Sequence, residues 1–145
     1  MIYRNWIYQD ILKISEIEKE CFGKGAWSFQ MLADSFSLDY FSGTVALDND
    51  EVVGYGCMTF NGDDADIGNI AVTENYRRSG IGNKILEHMI SDAKKHNMQK
   101  MFLEVRVTNA PAQILYLTQG FKGLYVRSRY YPDGEDAIVM VKELS

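Results

Sequence analysis

The stretch from Asn69 to Ile90, NIAVTENYRRSGIGNKILEHMI, constrains the fold of this chain more than any other. An apolar run, NIAV, ends in a polar turn carrying two arginines and two glycines, and a helix then begins. Ile81, Ile85, Met89 and Ala93 recur on one face of it, while Glu87, Asp92, Lys94 and Lys95 fall elsewhere. A strand that runs through such a turn into an amphipathic helix predicts a helix packed on a sheet. It also gathers unpaired backbone N–H groups at the positive end of a helix dipole, an arrangement suited to phosphate. On these residues alone, the stretch reads equally as a glycine-rich helix cap with two solvated arginines.

The flanking segments set the fold class. MIYRNWI reads as a first strand, and DILKISEIEKECF places Ile11, Ile14 and Cys21 along one helical face. WSFQMLADSF offers Ser28 as an N-cap, with Phe29, Leu32 and Phe36 at helical spacing. GTVALD, VVGYGCMTF and IGNIAV are β-rich runs that predict a three-stranded antiparallel meander, with NGDDAD reading as a turn. Beyond the amphipathic helix, KMFLEVRV is a strand. NAPAQILYLTQ is a helix capped by Asn109, tolerant of Pro111 in its first turn and stopped at Gly120. FKGLYVRSRYY and AIVMVKEL close the chain as two strands joined by PDGED. The helix between NIAV and MFLEV implies a parallel crossover, so the class is α/β, a mixed central sheet of about seven strands flanked by about four helices.

Composition removes several functions. The 145 residues fit one domain, 1–145, able to bury roughly two thirds of the unfolded surface. A net charge of -5 argues against wrapping nucleic acid, which needs a basic face. No apolar run approaches membrane-spanning length and the N-terminal stretch lacks the pattern of a secretory signal, so a cytoplasmic protein with no membrane role is expected. Cys21 and Cys57, with His88 and His96, have no metal-ligand spacing; reduced thiols and no metal are expected.

Three kinds of phosphate-binding turn compete at the opening stretch. The P-loop fails, because Lys84 follows Gly82 by two residues and no hydroxyl residue comes next. The dinucleotide fingerprint is poor, because Ile85 stands at its third glycine and the turn follows an antiparallel meander. Arg77-Arg78-Ser79-Gly80-Ile81-Gly82 instead resembles the R/Q-x-x-G-x-G/A signature of the GNAT superfamily of acetyl-CoA-dependent N-acetyltransferases. The order of inferred elements agrees with that superfamily. CFGKGAWS, NIAVTENYRRSGIG, LEVRVTNAPA, LYLTQGF and RYYPDGEDAIVM together are similar to its RimI-type branch, the ribosomal-protein alanine N-acetyltransferases, over about residues 16 to 141.

The resemblance implies a GNAT fold, acetyl-CoA as co-substrate, and a set of site residues. Backbone groups of Ile70, Ala71 and Val72 would meet the pantetheine. Arg77, Arg78, Ser79, Gly80, Ile81, Gly82 and Asn83 would cradle the pyrophosphate, with Lys84 left as solvated helix surface. Gly68 permits a bulge that would free strand groups, though a glycine there also reads as a simple flaw. Glu104 is implied as general base and Tyr116 as the acid that protonates the departing thiolate. By residue type alone they read as an outward strand carboxylate and a packing aromatic. Asn109 is implied at the pantetheine, although an N-cap alone would account for it.

On the acceptor side, Trp27 lies in GAWS, similar to a P-W-S element with Ala26 in place of proline; as plain core it is equally accounted for. Pro111 is a second departure, standing where the branch has a small residue. Tyr130 and Tyr131 resemble an aromatic pair lining the peptide groove, and strand alternation would turn only one of them toward it. Glu135 and Asp136 would either attract a basic peptide or form a solvated hairpin tip.

An α-amine with a pKa near 8 is roughly a third neutral at pH 7.5, against about 0.1% for lysine, so one glutamate suits an N-terminus better. The resemblance, with which this arithmetic is compatible, implies acetyl transfer to a protein N-terminus, with the N-terminal alanine of a small-subunit ribosomal protein as the family's acceptor; a monomeric enzyme is expected. Transfer to a small amine or lysine side chain, and a non-catalytic acyl-CoA-binding module, stay open as alternatives.

Overall fold

The computed structural model describes Met1–Leu144. Seven strands form one sheet in the order β1-β2-β3-β4-β5-β7-β6. They are β1 (Ile2–Asn5), β2 (Phe41–Asp48), β3 (Glu51–Asn61), β4 (Asp64–Val72), β5 (Lys100–Arg106), β6 (Lys122–Arg127) and β7 (Ala137–Glu143). The helices are α1 (Ile11–Phe22), α2 (Phe29–Phe36), α3 (Ile81–Lys95) and α4 (Ala110–Thr118). The α/β mixed sheet with four helices is as the sequence predicts. Ser28 and Asn109 both cap as their residue types dictate, accepting from Met31 N and Ala112 N at 3.2 Å each.

The helices cover opposite faces. Ile81, Ile85, Leu86, Met89 and Ala93 of α3 meet Met101, Leu103 and Val105 of β5, with Tyr116 of α4 and Phe121 closing the same cluster. On the other face Ile11, Ile14 and Ile17 of α1 and Leu32 of α2 surround Trp6, Val45 and Tyr55. The close approach of α3 depends on Gly56 in β3, where a Cβ would stand 2.5 Å from Met89 Sδ.

Two boundaries differ from the sequence reading. Asp64 to Asp66, read as part of a turn, begin β4, because they pair with Asn61 to Thr59 on one side and Lys100 to Phe102 on the other. The last hairpin is the second difference. β6 stops at Arg127, Arg129 has a φ of 52°, and the Gly134 N–H turns back to Tyr131 O at 2.8 Å, so the tyrosine pair sits in a loop.

The feature that positions the site is the parallel β4–β5 seam. Its register covers only Asp64 to Asp66 against Lys100 to Phe102. Beyond it β4 continues to Val72 with β3 as its only strand partner among the described residues, and β5 continues to Arg106 paired with β7. The strands part, and the sheet opens along their C-terminal halves. Among the described residues no helix is long and apolar enough to cross a membrane, and no cluster of three metal-binding side chains occurs.

Candidate active site

The opening between β4 and β5 is a cleft of about 460 Å³ lined by Glu18, Phe22, Gly25, Trp27, Ile67 to Ile70, Leu103 to Arg106, Asn109, Ala112, Tyr116, Tyr130, Tyr131 and Pro132. Its β4 wall carries free backbone groups. Thr73 N donates to Val53 O at 2.9 Å, so antiparallel alternation turns Asn69, Ala71 and Thr73 toward β3. Ile70 and Val72 then face the side that β5 has left. Ala71 thereby drops out of the expected coenzyme set: its backbone serves the ladder and its methyl is buried.

The expected bulge is present, since Cys57 pairs with Asn69 and Met58 with Ile67, leaving Gly68 as the extra residue. Its glycine is explained by close approach. A Cβ there would lie 3.0 Å from Trp27 Cη2 and 3.2 Å from Cys57 Sγ.

The glycine turn follows β4. Arg78 and Gly80 take φ of 61° and 83°, and α3 starts from Gly80 with no side-chain cap. Among the described residues no acceptor takes the N–H groups of Arg78, Ser79, Gly80, Ile81, Gly82 or Asn83. These donors at the start of a four-turn helix fit a pyrophosphate. Gly82 leaves room for one, its nearest neighbour to a notional Cβ being Leu115 Cδ2 at 3.8 Å. Gln119 Nε2 donates to Asn83 Oδ1 at 3.1 Å and so fixes the start of α3 to the end of α4.

Arg77 departs from the expected role. Its Nε donates to Val72 O at 2.9 Å, and its guanidinium reaches Cys21 Sγ at 3.2 Å and Glu20 at 3.7 Å. This side chain ties α1 to the end of β4, and Arg78 is left as the turn's arginine without a protein partner among the described residues.

Glu104 and Tyr116 reach the cleft from opposite faces of the sheet. Met101, Leu103 and Val105 point into the α3 cluster, so alternation sends Glu104 to the α1 side, while Tyr116 arrives from α4. They share a cleft because the sheet is open there. Burial pushes the Glu104 carboxyl above its ordinary value; Arg127 opposes that shift and Asp66 adds to it. Burial, then Tyr131, pushes Tyr116 up to about 12. The Tyr116 hydroxyl has no protein partner, yet no buried side-chain polar atom goes unpaired among the described residues, so this hydroxyl opens to the cleft. Asn109 also lines the cleft, with its side-chain oxygen spent on the cap.

Both tyrosines of the loop, rather than one, line the cleft, their rings edge to face at 5.0 Å. The alternation argument fails here because residues 128–136 are not a strand. Arg106 holds the loop: its Nη1 meets Asp133 and Glu135 at 2.8 Å each, and its guanidinium lies 4.0 Å from the Tyr131 ring centre. Glu135 also accepts from the Thr108 N–H and hydroxyl, and Asp136 accepts from Arg129 N. These acids are spent inside the loop and are not a lure for a basic peptide.

Sequence reasoning missed Glu18, Tyr55 and Asn69. Glu18 is 1% exposed; it accepts from the Tyr55 hydroxyl, from Asn69 Nδ2 at 2.8 Å and from Trp27 N at 2.8 Å. The available signal was an acid within the 11-14-18-21 stripe of an otherwise apolar helix face.

Known proteins agree with this geometry. The profile of the acetyltransferase (GNAT) family matches residues 11–121. The ribosomal protein bS18-alanine N-acetyltransferase of Escherichia coli is 44% identical over 86 residues, 57% of this chain and 58% of that protein. An N-alpha-acetyltransferase of Sulfurisphaera tokodaii is 47% identical over 76 residues, 52% of this chain and 46% of that one. These matches thus span only about half of each relative. The crystal structure of the Escherichia coli ribosomal-protein-alanine N-acetyltransferase superposes with a TM-score of 0.90 at 31% identity, covering 99% of this chain and 94% of that one. Open β4–β5 seam, uncapped glycine turn and family profile lead to one conclusion: this chain belongs to the GNAT acetyltransferase family.

Proposed function

We propose that this chain transfers the acetyl group of acetyl-CoA to the α-amine of a protein N-terminus, with the N-terminal alanine of a small-subunit ribosomal protein as acceptor. The observation that carries the reading is the meeting of Glu104 and Tyr116 from opposite faces at the open seam. Similarity to a ribosomal protein bS18-alanine N-acetyltransferase and to an N-alpha-acetyltransferase supports the choice of acceptor.

The free N–H groups from Arg78 to Asn83 hold the pyrophosphate, and the backbone of Ile70 and Val72 pairs with the pantetheine arm. Acetyl-CoA, when bound, supplies an activated thioester carbonyl. Glu104 takes a proton from the acceptor ammonium, and the neutral nitrogen forms the new C–N bond as the C–S bond breaks. Tyr116 gives its hydroxyl proton to the departing sulfur and its phenolate recovers the second proton that the nitrogen sheds on becoming an amide, so the products are an amide, a free thiol and a protonated Glu104. Trp27, Tyr130 and Tyr131 form the apolar rim that receives the peptide's first residues.

A mass-spectrometric competition tests this, offering acetyl-CoA with a peptide beginning Ala-Arg-Tyr and with an N-terminally blocked peptide carrying an internal lysine. Acetylation of the first alone is expected. Acetylation of the lysine peptide at an equal rate would contradict the choice of an α-amine.

A further inference from the structure

We propose that Glu18 is a positioning residue for the acceptor wall: its carboxylate sets where the Trp27 loop and the β4 bulge stand relative to Glu104. This rests on the acetyl-transfer reading above. Glu18 lies on α1 at a position its helix would otherwise fill with an apolar side chain, and it has no lysine or arginine partner among the described residues. A buried carboxylate without a cation is costly unless several donors converge on it.

Three do, each from a different element. The Tyr55 hydroxyl comes from β3, Asn69 Nδ2 from the bulge in β4, and Trp27 N–H from the loop before α2, the last two at 2.8 Å. Tyr55 is fully buried and its hydroxyl is pushed far above the ordinary range by burial and by Glu18, so it remains a donor at every physiological pH. The geometry they fix is that of the cleft. Asn69 is the residue after Gly68, and the Trp27 ring stands against Gly68 so closely that a Cβ there would be 3.0 Å from Cη2. The carboxylate therefore clamps the β4 bulge at Gly68 from both sides. None of its bonds reaches the turn from Arg77 to Asn83 that holds the pyrophosphate, so peptide binding should respond to its loss far more than acetyl-CoA binding does.

E18Q tests the clamp. Glutamine keeps the volume but has one oxygen, so it cannot accept both from Trp27 N–H and from the Tyr55–Asn69 pair. The expected result is a rise of about tenfold in the KM for the Ala-Arg-Tyr peptide, with acetyl-CoA Kd changed less than about twofold. A merely structural role would lower the melting temperature and the active fraction, and so kcat, while leaving both constants in place. N69A removes one donor from a half-exposed residue; it should raise the same KM more modestly, and it decides the matter if E18Q does not fold. An unchanged peptide KM in the folded variants would overturn the clamp alone. A wild-type protein that acetylates no α-amine peptide would overturn the functional reading, and the clamp with it.

Discussion

Replacing Tyr116 with phenylalanine separates chemistry from packing, because the structure assigns the ring and the hydroxyl different tasks. The ring is 8% exposed and packs edge-on against Phe121 at 5.7 Å, a contact that phenylalanine keeps. The hydroxyl has no protein partner among the described residues, so its removal should change stability by less than about 0.5 kcal/mol. Its catalytic worth follows from acidity. Against a thiol near 8.5 in water, proton transfer from a phenol held at about 12 would be uphill by roughly 3.5 units. Burial narrows that gap: in the same protein the enclosed Cys57 thiol is pushed up to about 12. A sulfur leaving in a desolvated part of the cleft is shifted in the same direction, toward Tyr116, and losing this donor should lower kcat by about 100-fold, the lower end for a general acid. Single-turnover acetyl transfer, a thermal melt and calorimetric acetyl-CoA binding would be measured together. A full-rate Tyr116→Phe enzyme, or one slowed only in proportion to lost folding, would refute the assignment.

Other perturbations address separate parts of the site. Gly82→Val should abolish measurable acetyl-CoA binding in calorimetry without lowering the melting temperature, since the nearest protein atom to its Cβ is 3.8 Å away and valine is no worse in a helix than glycine. Glu104→Gln should raise the melting temperature at neutral pH. Its folded pKa lies above the unfolded value, so ionised Glu104 weakens the fold above that pKa, and the gain should vanish below the ordinary carboxylate range. Arg106→Ala should free the loop that carries Tyr130 and Tyr131, raising peptide KM several-fold with acetyl-CoA affinity intact. Acid should act similarly. Hydrogen bonds from Thr108 and then Arg106 hold Glu135 below its usual pKa, so its tether is complete at neutral pH and is lost as pH falls through that lowered value.

Local chemistry was legible in the sequence, and long-range geometry was not. The Ser28 and Asn109 caps and the buried stripe of α3 are written in short spacings, the bulge at Gly68 is implied by the family resemblance, and the structure carries each of them. The parting of β4 and β5 is not, because nothing in either strand's residues says that pairing stops after Asp66 and Phe102. Tyr130 and Tyr131 were misjudged for a related reason. Their β-rich composition suits a strand, but Arg129 at positive φ and the Arg106–Glu135 tether make a loop there. Arg77 carries the family's motif, yet its side chain is drawn to Cys21 and Glu20, partners remote in sequence, as well as to the Val72 carbonyl. Glu18 shows the same limit: an acid on an apolar stripe signals a buried charge, while its donors from Trp27, Tyr55 and Asn69 exist only once the chain has folded.

The central claim is that Glu104 serves as the base for an α-amine at the open seam, and the pH dependence of kcat, wild type against Glu104→Gln, tests it most directly. Saturating acetyl-CoA and the Ala-Arg-Tyr peptide would be used throughout. Because burial raises the Glu104 pKa and the reaction needs its carboxylate, wild-type kcat should fall as pH drops through a value above the usual carboxylate range. The glutamine variant should be slower by about 100-fold and lack that acid limb. Superimposable rates and profiles for the two proteins would contradict the account.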